Sequence, residues 1–178
     1  KYKKIFSEKG IAYEEGQHTL ERILDASEVI KSPGISLTTT VMKKILESNI
    51  PVCGEIEFAS RYTNAKMIGI TGTNGKTTTT LLTHYILSKG GLKAGLTGNV
   101  GHSLAMMVAE DPQDCYVIEL SSFQLDDIKT FRPDIAILTN ITEDHLDRYE
   151  HDFKKYIESK FRIVMNQQKD DHFIYCTD

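Results

Sequence analysis

Met67-Ile68-Gly69-Ile70-Thr71-Gly72-Thr73-Asn74-Gly75-Lys76-Thr77-Thr78-Thr79-Thr80 runs from an apolar strand through a glycine-rich turn into a helix-like stretch, 81–88. That order builds a phosphate cradle. Glycines let successive backbone N–H groups turn inward, and the following helix N-terminus adds partial positive charge. Lys76 can reach terminal phosphates and the Thr77 hydroxyl can sit on a magnesium ion. The general pattern Gly-x-x-x-x-Gly-Lys-Thr would put glycine at position 70; here Ile70 stands there and Gly72 lies inside the loop. The competing reading is a glycine-rich turn with a surface lysine. The strand before it and the four threonines after Lys76 favour phosphate.

Downstream of this loop, strand and helix alternate. Helices are expected at 78–89, 101–109, 123–129 and 152–166, with strands at 93–97, 115–119, 135–139 and 172–176. Upstream, 1–9 looks helical and 11–13 reads as a short strand. A helix follows at 19–24, a strand at 27–30, a helix ending at Asn49, a strand at 51–53 and a helix at 55–62. Pro33 and Gly34 end the strand before them. Ser36 or Thr38 is the expected cap of the helix that ends at Asn49, with Val41, Ile45 and Leu46 as its apolar stripe. The alternation predicts an α/β protein with a mainly parallel sheet. The polar joint Thr63-Asn64-Ala65-Lys66 is the expected boundary between a domain at 1–64 and one at 65–178.

In open parallel sheets ligands bind beyond the carboxyl ends of the strands. Four strands of the second part carry polar residues there: the phosphate loop; Thr97-Gly98-Asn99-Val100-Gly101; Glu119-Leu120-Ser121-Ser122-Phe123-Gln124; and Thr139 to Asp147, with His145 among them. Glu119 ends an apolar strand, as a solvated carboxylate or as a magnesium ligand opposite Thr77. Magnesium at nucleotide sites takes one or two carboxylates plus phosphate oxygens, and the strand's place beside the phosphate loop favours the ligand. His145 follows a strand end on the same edge and is read as a metal or phosphate residue. His18, His84, His102, His151 and His172 lack such a setting. In the helix at 152–166, Phe153, Tyr156, Ile157, Phe161 and Val164 form the apolar face, and Lys160 falls on it. An inward lysine is costly unless paired or chemically altered; alternatively its stem packs and its head reaches solvent. Spacing leaves both open.

With 178 residues, 40% hydrophobic and 26% charged, the chain has the composition of an ordinary globular protein. A net charge of −4 gives no reason to expect nucleic-acid binding. Cys53, Cys115 and Cys176 are odd in number and far apart, which fits a reducing cytosol rather than a disulfide framework or zinc site. No apolar run approaches the roughly 18 residues of a membrane span, and no signal peptide opens the chain. It starts with Lys1-Tyr2-Lys3-Lys4, without an initiator Met, and reads as the interior of a longer chain.

Gly-Ile-Thr-Gly-Thr-Asn-Gly-Lys-Thr-Thr resembles the phosphate loop of the Mur ligases, ATP-dependent enzymes that build the peptide stem of bacterial peptidoglycan, and Ile70 is ordinary for them. Within that family, four stretches look like the branch that adds D-glutamate to UDP-N-acetylmuramoyl-L-alanine. They are Glu119-Leu-Ser-Ser-Phe-Gln-Leu125, Thr139-Asn-Ile-Thr-Glu-Asp-His-Leu-Asp-Arg-Tyr149, Lys31-Ser-Pro-Gly34 and Gly98-Asn-Val-Gly101. The resemblance implies a partial Rossmann-like substrate domain, a partial P-loop central domain and an absent third domain. It implies an acyl-phosphate mechanism. Gly72, Thr73, Asn74, Gly75, Lys76, Thr77 and Thr78 would hold the nucleotide, with Thr77 and Glu119 on a first Mg²⁺. His145 and Lys160 would serve a second Mg²⁺, Lys160 as a carbamate. Asn99, Ser121 and Gln124 would line the substrate site, and Ser32, Pro33 and Gly34 would meet the uridine nucleotide. It also implies a monomeric bacterial cytoplasmic enzyme, inactive as this stretch alone. A folylpolyglutamate synthetase shares the central domain and chemistry, but Ser121-Ser122-Phe123-Gln124 and the Ser-Pro-Gly loop speak against it. A non-catalytic nucleotide-binding module is the alternative of another class.

Overall fold

A computed structural model describes residues 2–177; Lys1, included in the expected opening helix, lies outside the described residues. The chain forms two compact units. One holds the chain up to Val29 together with Ile35–Val52, and the other holds Ile30–Gly34 together with the chain from Cys53 on.

The first unit contains α1 (Tyr2–Glu8), α2 (Leu20–Leu24) and α3 (Thr40–Glu47). The strand expected at 11–13 does not form. Gly10, at φ 66°, turns the chain at the end of α1, and the Ile11 N–H is taken by Phe6 O at 2.8 Å, a helix-end arrangement that glycine favours. On α3 the cap is Thr39, whose hydroxyl accepts from Met42 N at 3.4 Å. The hydroxyls of Ser36 and Thr38 instead pair with each other at 2.8 Å. The buried residues of α3 are Ile45, as expected, and Met42, whereas Val41 is only half-buried and Leu46 is exposed. Strands β1 (Val29–Lys31) and β2 (Val52–Gly54) form a two-stranded sheet.

The second unit is built on five strands: β3 (Lys66–Thr71), β4 (Ala94–Gly98), β5 (Cys115–Glu119), β6 (Ile135–Leu138) and β7 (His172–Tyr175). They lie in the order β4-β5-β3-β6-β7, all neighbours parallel. The strands β3, β5 and β6 are packed on both faces, as parallel sheets require, whereas Ile174 and Tyr175 of the edge strand β7 are exposed. Ile68, Ile70 and Val117 point to one face, where Leu87 of α5 (Lys76–Lys89) packs with Ile135 and Ile137. Met67, Tyr116, Ile118 and Ala136 point to the other. There they meet Leu104 of α6 (Leu104–Glu110), Leu125 of α7 (Ser122–Asp126), and Ile128 and Phe131 beyond it. Fully burying a Leu, Ile, Val, Phe or Met side chain in this way stabilises the fold by about 1.5–3 kcal/mol.

The joint expected at 63–66 falls inside this unit. The reason is Glu57 on α4 (Glu55–Ser60). Its fully buried carboxylate accepts from the N–H groups of Lys129, Thr130 and Phe131 at 2.9, 2.9 and 2.8 Å and from the Thr130 hydroxyl at 2.6 Å. Burial pushes the carboxyl up, but these hydrogen bonds outweigh it and bring its pKa down to about 2. The helix expected at 152–166 is α8 (Phe153–Phe161) followed by a 3-10 turn, Arg162–Val164. Its buried face is Tyr156, Ser159 and Lys160, continued by Ile163, while Phe161 is exposed. Among the described residues, no helix is long and apolar enough to cross a membrane.

Candidate active site

The site lies at the carboxyl ends of β3, β4, β5 and β6, which the parallel registers bring to one edge. Ile70 stands beside Glu119, Glu119 beside Gly98, and Thr71 beside Leu138. At Gly72, with φ 147°, a Cβ would lie 1.9 Å from Thr139 Oγ1, so no side chain fits. Gly75, at φ 81°, starts α5 in left-handed backbone, which glycine adopts without steric cost.

The loop is fastened to the chain after β6. Thr73 N donates to Asn140 O at 2.9 Å and Asn74 N to Asn140 Oδ1 at 3.0 Å. Thr139 Oγ1 and Asn140 Nδ2 donate to Asn74 O at 2.7 and 3.0 Å. The Thr73 hydroxyl donates to Thr142 O at 3.1 Å, accepts from Thr142 N at 3.0 Å and lies 3.2 Å from the Tyr156 hydroxyl. Thr73 N, Asn74 N and Asn74 O are thereby taken by the neighbouring chain, while the first N–H groups of α5 lack helical partners.

Lys76 and Lys160 meet here. Lys76 Nζ donates to Gly72 O at 2.9 Å and Thr73 O at 2.8 Å. Lys160 Nζ donates to the same Gly72 carbonyl at 2.8 Å and lies 4.6 Å from the centroid of the Tyr156 ring. Lys160 is only 2% exposed, so its head does not reach solvent. Burial, then the neighbouring Lys76 cation, lowers its pKa to about 8, with Asp144 and Asp126 pulling the other way.

Glu119 is 1% exposed. Its Oε1 accepts from Asn99 Nδ2 at 2.8 Å, and its Oε2 is buried with no partner. Buried carboxylate oxygens are normally satisfied, so this donor set fits a cation: one free anionic oxygen, on the strand next to the one that leads to Thr77. Gly98, at φ 98°, makes the arrangement possible, since a Cβ there would stand 2.2 Å from Glu119 O.

His145 opens a 3-10 turn, Leu146–Tyr149, from left-handed backbone at φ 50°. Its ring is half exposed, with Nε2 3.5 Å from Asp144 Oδ2, and it touches Phe123 with centroids 5.3 Å apart. Among the described residues, no three His, Cys, Asp or Glu side chains group closely enough to hold a metal. Any metal there needs Thr77, the lysine or phosphate oxygens as ligands as well.

Ser121 and Gln124 are already engaged with each other as the capping box of α7, with Gln124 Oε1 accepting from Ser121 N at 2.9 Å. Ser32 and Gly34 are exposed. Pro33 lines a small cavity with Gly54, Glu55, Ile56, Gln124 and Asp127. Beside it, Lys31 and Asp127 form a buried ion pair. Burial pushes the Asp127 carboxyl up while Lys31 draws it down.

Sequence reading missed Asn140 and Thr139 as the loop's anchors, the polar tip of Tyr156, and Arg148. Only Tyr156 carried a signal: a tyrosine placed inward needs a partner for its hydroxyl.

A family profile for the Mur ligase middle domain matches residues 70–178. Over 178 residues the chain is 57% identical to the UDP-N-acetylmuramoylalanine–D-glutamate ligase of Bacteroides fragilis, covering 100% of this chain and 40% of that protein. It is 44% identical to the protein of the same name from Chlorobium limicola over 174 residues, 95% of this chain and 37% of that one. The chain thus spans about 40% of the length of its curated relatives. Among solved structures, MurF ligase from Thermotoga maritima in complex with ADP aligns at a TM-score of 0.56 and 15% identity, covering 91% of this chain and 47% of that chain. UDP-N-acetylmuramate-alanine ligase MurC from the same organism aligns at 0.52 and 21%, covering 92% and 38%. At these identities the structures speak for the fold: α/β, with a mainly parallel sheet.

Proposed function

We propose that this chain, which belongs to the Mur ligase family, is part of an ATP-dependent ligase that joins D-glutamate to UDP-N-acetylmuramoyl-L-alanine in peptidoglycan synthesis. The observation that carries this reading is the single edge where the phosphate loop, the unpartnered Glu119 oxygen and the buried Lys160 meet. The 57% identity to a relative named for this reaction supports the choice of substrates. In this reading the chain holds part of a uridine-nucleotide domain, expected at 1–64, and part of the central domain, expected at 65–178, although Ile30–Gly34 and the chain from Cys53 to the joint share the compact unit of the latter. Cys53, Cys115 and Cys176 form no disulfide, which suits work in the bacterial cytoplasm; in this reading the protein acts as a monomer.

The alanine carboxylate attacks the γ-phosphorus of ATP and ADP leaves, giving an acyl phosphate. The D-glutamate amine then attacks the acyl carbon, phosphate departs, and a proton is lost to leave the amide. Lys76 would release its two loop carbonyls and take the β- and γ-phosphates, and the N–H groups that open α5 would hold the same oxygens. Thr77 and Glu119 would hold one magnesium ion, and His145 with a carbamylated Lys160 a second. Magnesium bound there would offset the charge that gathers on the transferred phosphoryl group. Asn99, fixed on Glu119, and Ser121 and Gln124 at the start of α7 would line the path of the substrate. Ser32, Pro33 and Gly34 would meet its uridine end.

The test uses the whole protein. Phosphate release is expected only when UDP-N-acetylmuramoyl-L-alanine, D-glutamate and ATP are all present. Lys76→Ala is expected to slow it on the order of a hundredfold or more without lowering the melting temperature. Phosphate release with a folate and glutamate instead, no release with any substrate set, or near-normal turnover by the Lys76 variant would each overturn the reading.

A further inference from the structure

The turn that carries His145 is held in an unfavourable shape. His145, Glu150 and His151 all sit in left-handed backbone, at φ 50°, 55° and 58°, a conformation that side chains other than glycine rarely adopt. Such a turn persists only where its surroundings fix it. Two residues from within it do so, in different directions. Tyr149 is buried, and its hydroxyl donates to Asp126 Oδ2 at 3.0 Å and lies 3.1 Å from Ser159 Oγ. Arg148 reaches to the Ser32–Gly34 turn, where its guanidinium donates to Pro33 O at 2.7 Å and, at a longer 3.4 Å, to Gly34 O. The same guanidinium lies 4.3 Å from the centroid of the Phe123 ring, and Phe123 touches the His145 ring.

We infer that Arg148 is a positioning residue that couples the Ser32–Gly34 turn to His145, so that a uridine nucleotide filling the turn sets the imidazole for reaction. The inference rests on the function proposed above and adds to it a link between the two ends of the substrate. Its physical basis is the planar fork of arginine. A guanidinium bound to two successive carbonyls follows their orientation, which a lysine ammonium cannot do. Its flat face against Phe123 transmits the movement to the ring that packs on His145. A ligand biases His145 in this way only if the fork fits one arrangement of the turn better than the other. The role is one of orientation, since Arg148 is occupied by carbonyls and an aromatic face and offers its charge to no reacting atom.

The experiment follows the His145 ring resonances of the whole protein, labelled with ¹⁵N-histidine, while UDP-N-acetylmuramoyl-L-alanine is added without ATP. Wild type is compared with Arg148→Met and Arg148→Lys, with the melting temperature and steady-state kinetics of each. In wild type the His145 signals are expected to shift on binding. In both variants the substrate is expected to bind still, the shift to disappear, and kcat to fall more than about tenfold while KM for ATP stays near normal. If the methionine variant fails to fold, the lysine variant carries the test, since it keeps charge and length and loses only the fork. A His145 shift of wild-type size in a folded variant, full kcat in the lysine variant, or a silent His145 in a wild type that binds substrate would each overturn the coupling. Failure of wild type to bind the nucleotide substrate at all would instead overturn the function it rests on.

Discussion

Lys160 is 2% exposed and shares a single carbonyl acceptor, that of Gly72, with a second lysine. The fold therefore disfavours its protonated form. Below about pH 8 the buried cation costs stability. Between that value and the ordinary lysine value of 10.5 the unfolded chain holds a proton that the folded chain lacks, so stability rises with pH through this window. A neutral amine is also the form that attacks CO₂: its lone pair bonds the carbon, one proton leaves, and an anionic carbamate with oxygen donors suited to magnesium remains. In the whole protein, ¹³C-bicarbonate is expected to give a carbamate resonance that grows from pH 7 to 9 and is absent in Lys160→Met. Fully active enzyme without that resonance would leave Lys160 as a cation that steadies the loop through Gly72 alone. A second residue, Gly98, can be tested by addition rather than removal. In Gly98→Ala the new methyl would stand 2.2 Å from Glu119 O, in backbone at φ 98°, so the end of β5 must move and carry the Glu119 carboxylate with it. Misplacement of this kind can cost about a hundredfold in rate. The expected result is a folded protein with that order of loss in kcat; unchanged kcat would show that Glu119 tolerates displacement.

Helix α4 is fastened at Glu57, where one carboxylate closes three backbone N–H groups and a hydroxyl. Glu57→Ala leaves those three donors buried and unpaired, which is expected to destabilise the protein by roughly 2–4 kcal/mol. Glu57→Gln keeps the shape and loses the charge, and is expected to cost less. The folded carboxyl titrates near 2 and the unfolded one near 4.5, so the carboxylate's contribution is complete above about 4.5 and is lost as pH falls toward 2. Denaturant midpoints of wild type and Glu57→Gln should therefore converge as pH drops through that window; a constant gap would assign the effect to packing. The same helix shows what the sequence could and could not disclose. Its existence followed from its spacing, as did the alternation of the five parallel strands and the gathering of their polar ends, because hydrophobic period and turn residues are local properties. Its attachment to residues 129–131 did not, since a buried glutamate reads like a solvated one until its partners, more than seventy positions away, are known. Helix α8 is similar. Its spacing put Lys160 inward, as the structure has it, yet also assigned Phe161 to the core; the buried face runs through Tyr156, Ser159, Lys160 and Ile163, and Phe161, one helical step past Lys160, is turned off it and exposed. Ser121 and Gln124 were legible as polar residues at a strand end, but their first use is to cap α7.

For the whole molecule, the question is what these 178 residues can do on their own. The phosphate loop, Glu119, His145 and Lys160 belong to one compact unit whose central strands are packed on both faces. The loop and the residues that anchor it, Thr139, Asn140, Thr142 and Tyr156, all lie within that unit, so the stretch alone is expected to bind an adenine nucleotide with magnesium. Ligation asks for more. Three reactants must be held in line, and such positioning can lower a barrier by about 7–11 kcal/mol. The relatives that bear the ligase name are much longer proteins, of which this chain matches about 40%. The stretch is therefore expected to show nucleotide binding by calorimetry and no ligated product above background, with binding abolished by Lys76→Ala. Supplying the rest of the protein in trans should leave turnover low, because the reactants would no longer be held on one rigid frame. Product formed by the isolated 178 residues at a rate near that of the whole protein would mean that the edge of this sheet is sufficient for both chemical steps.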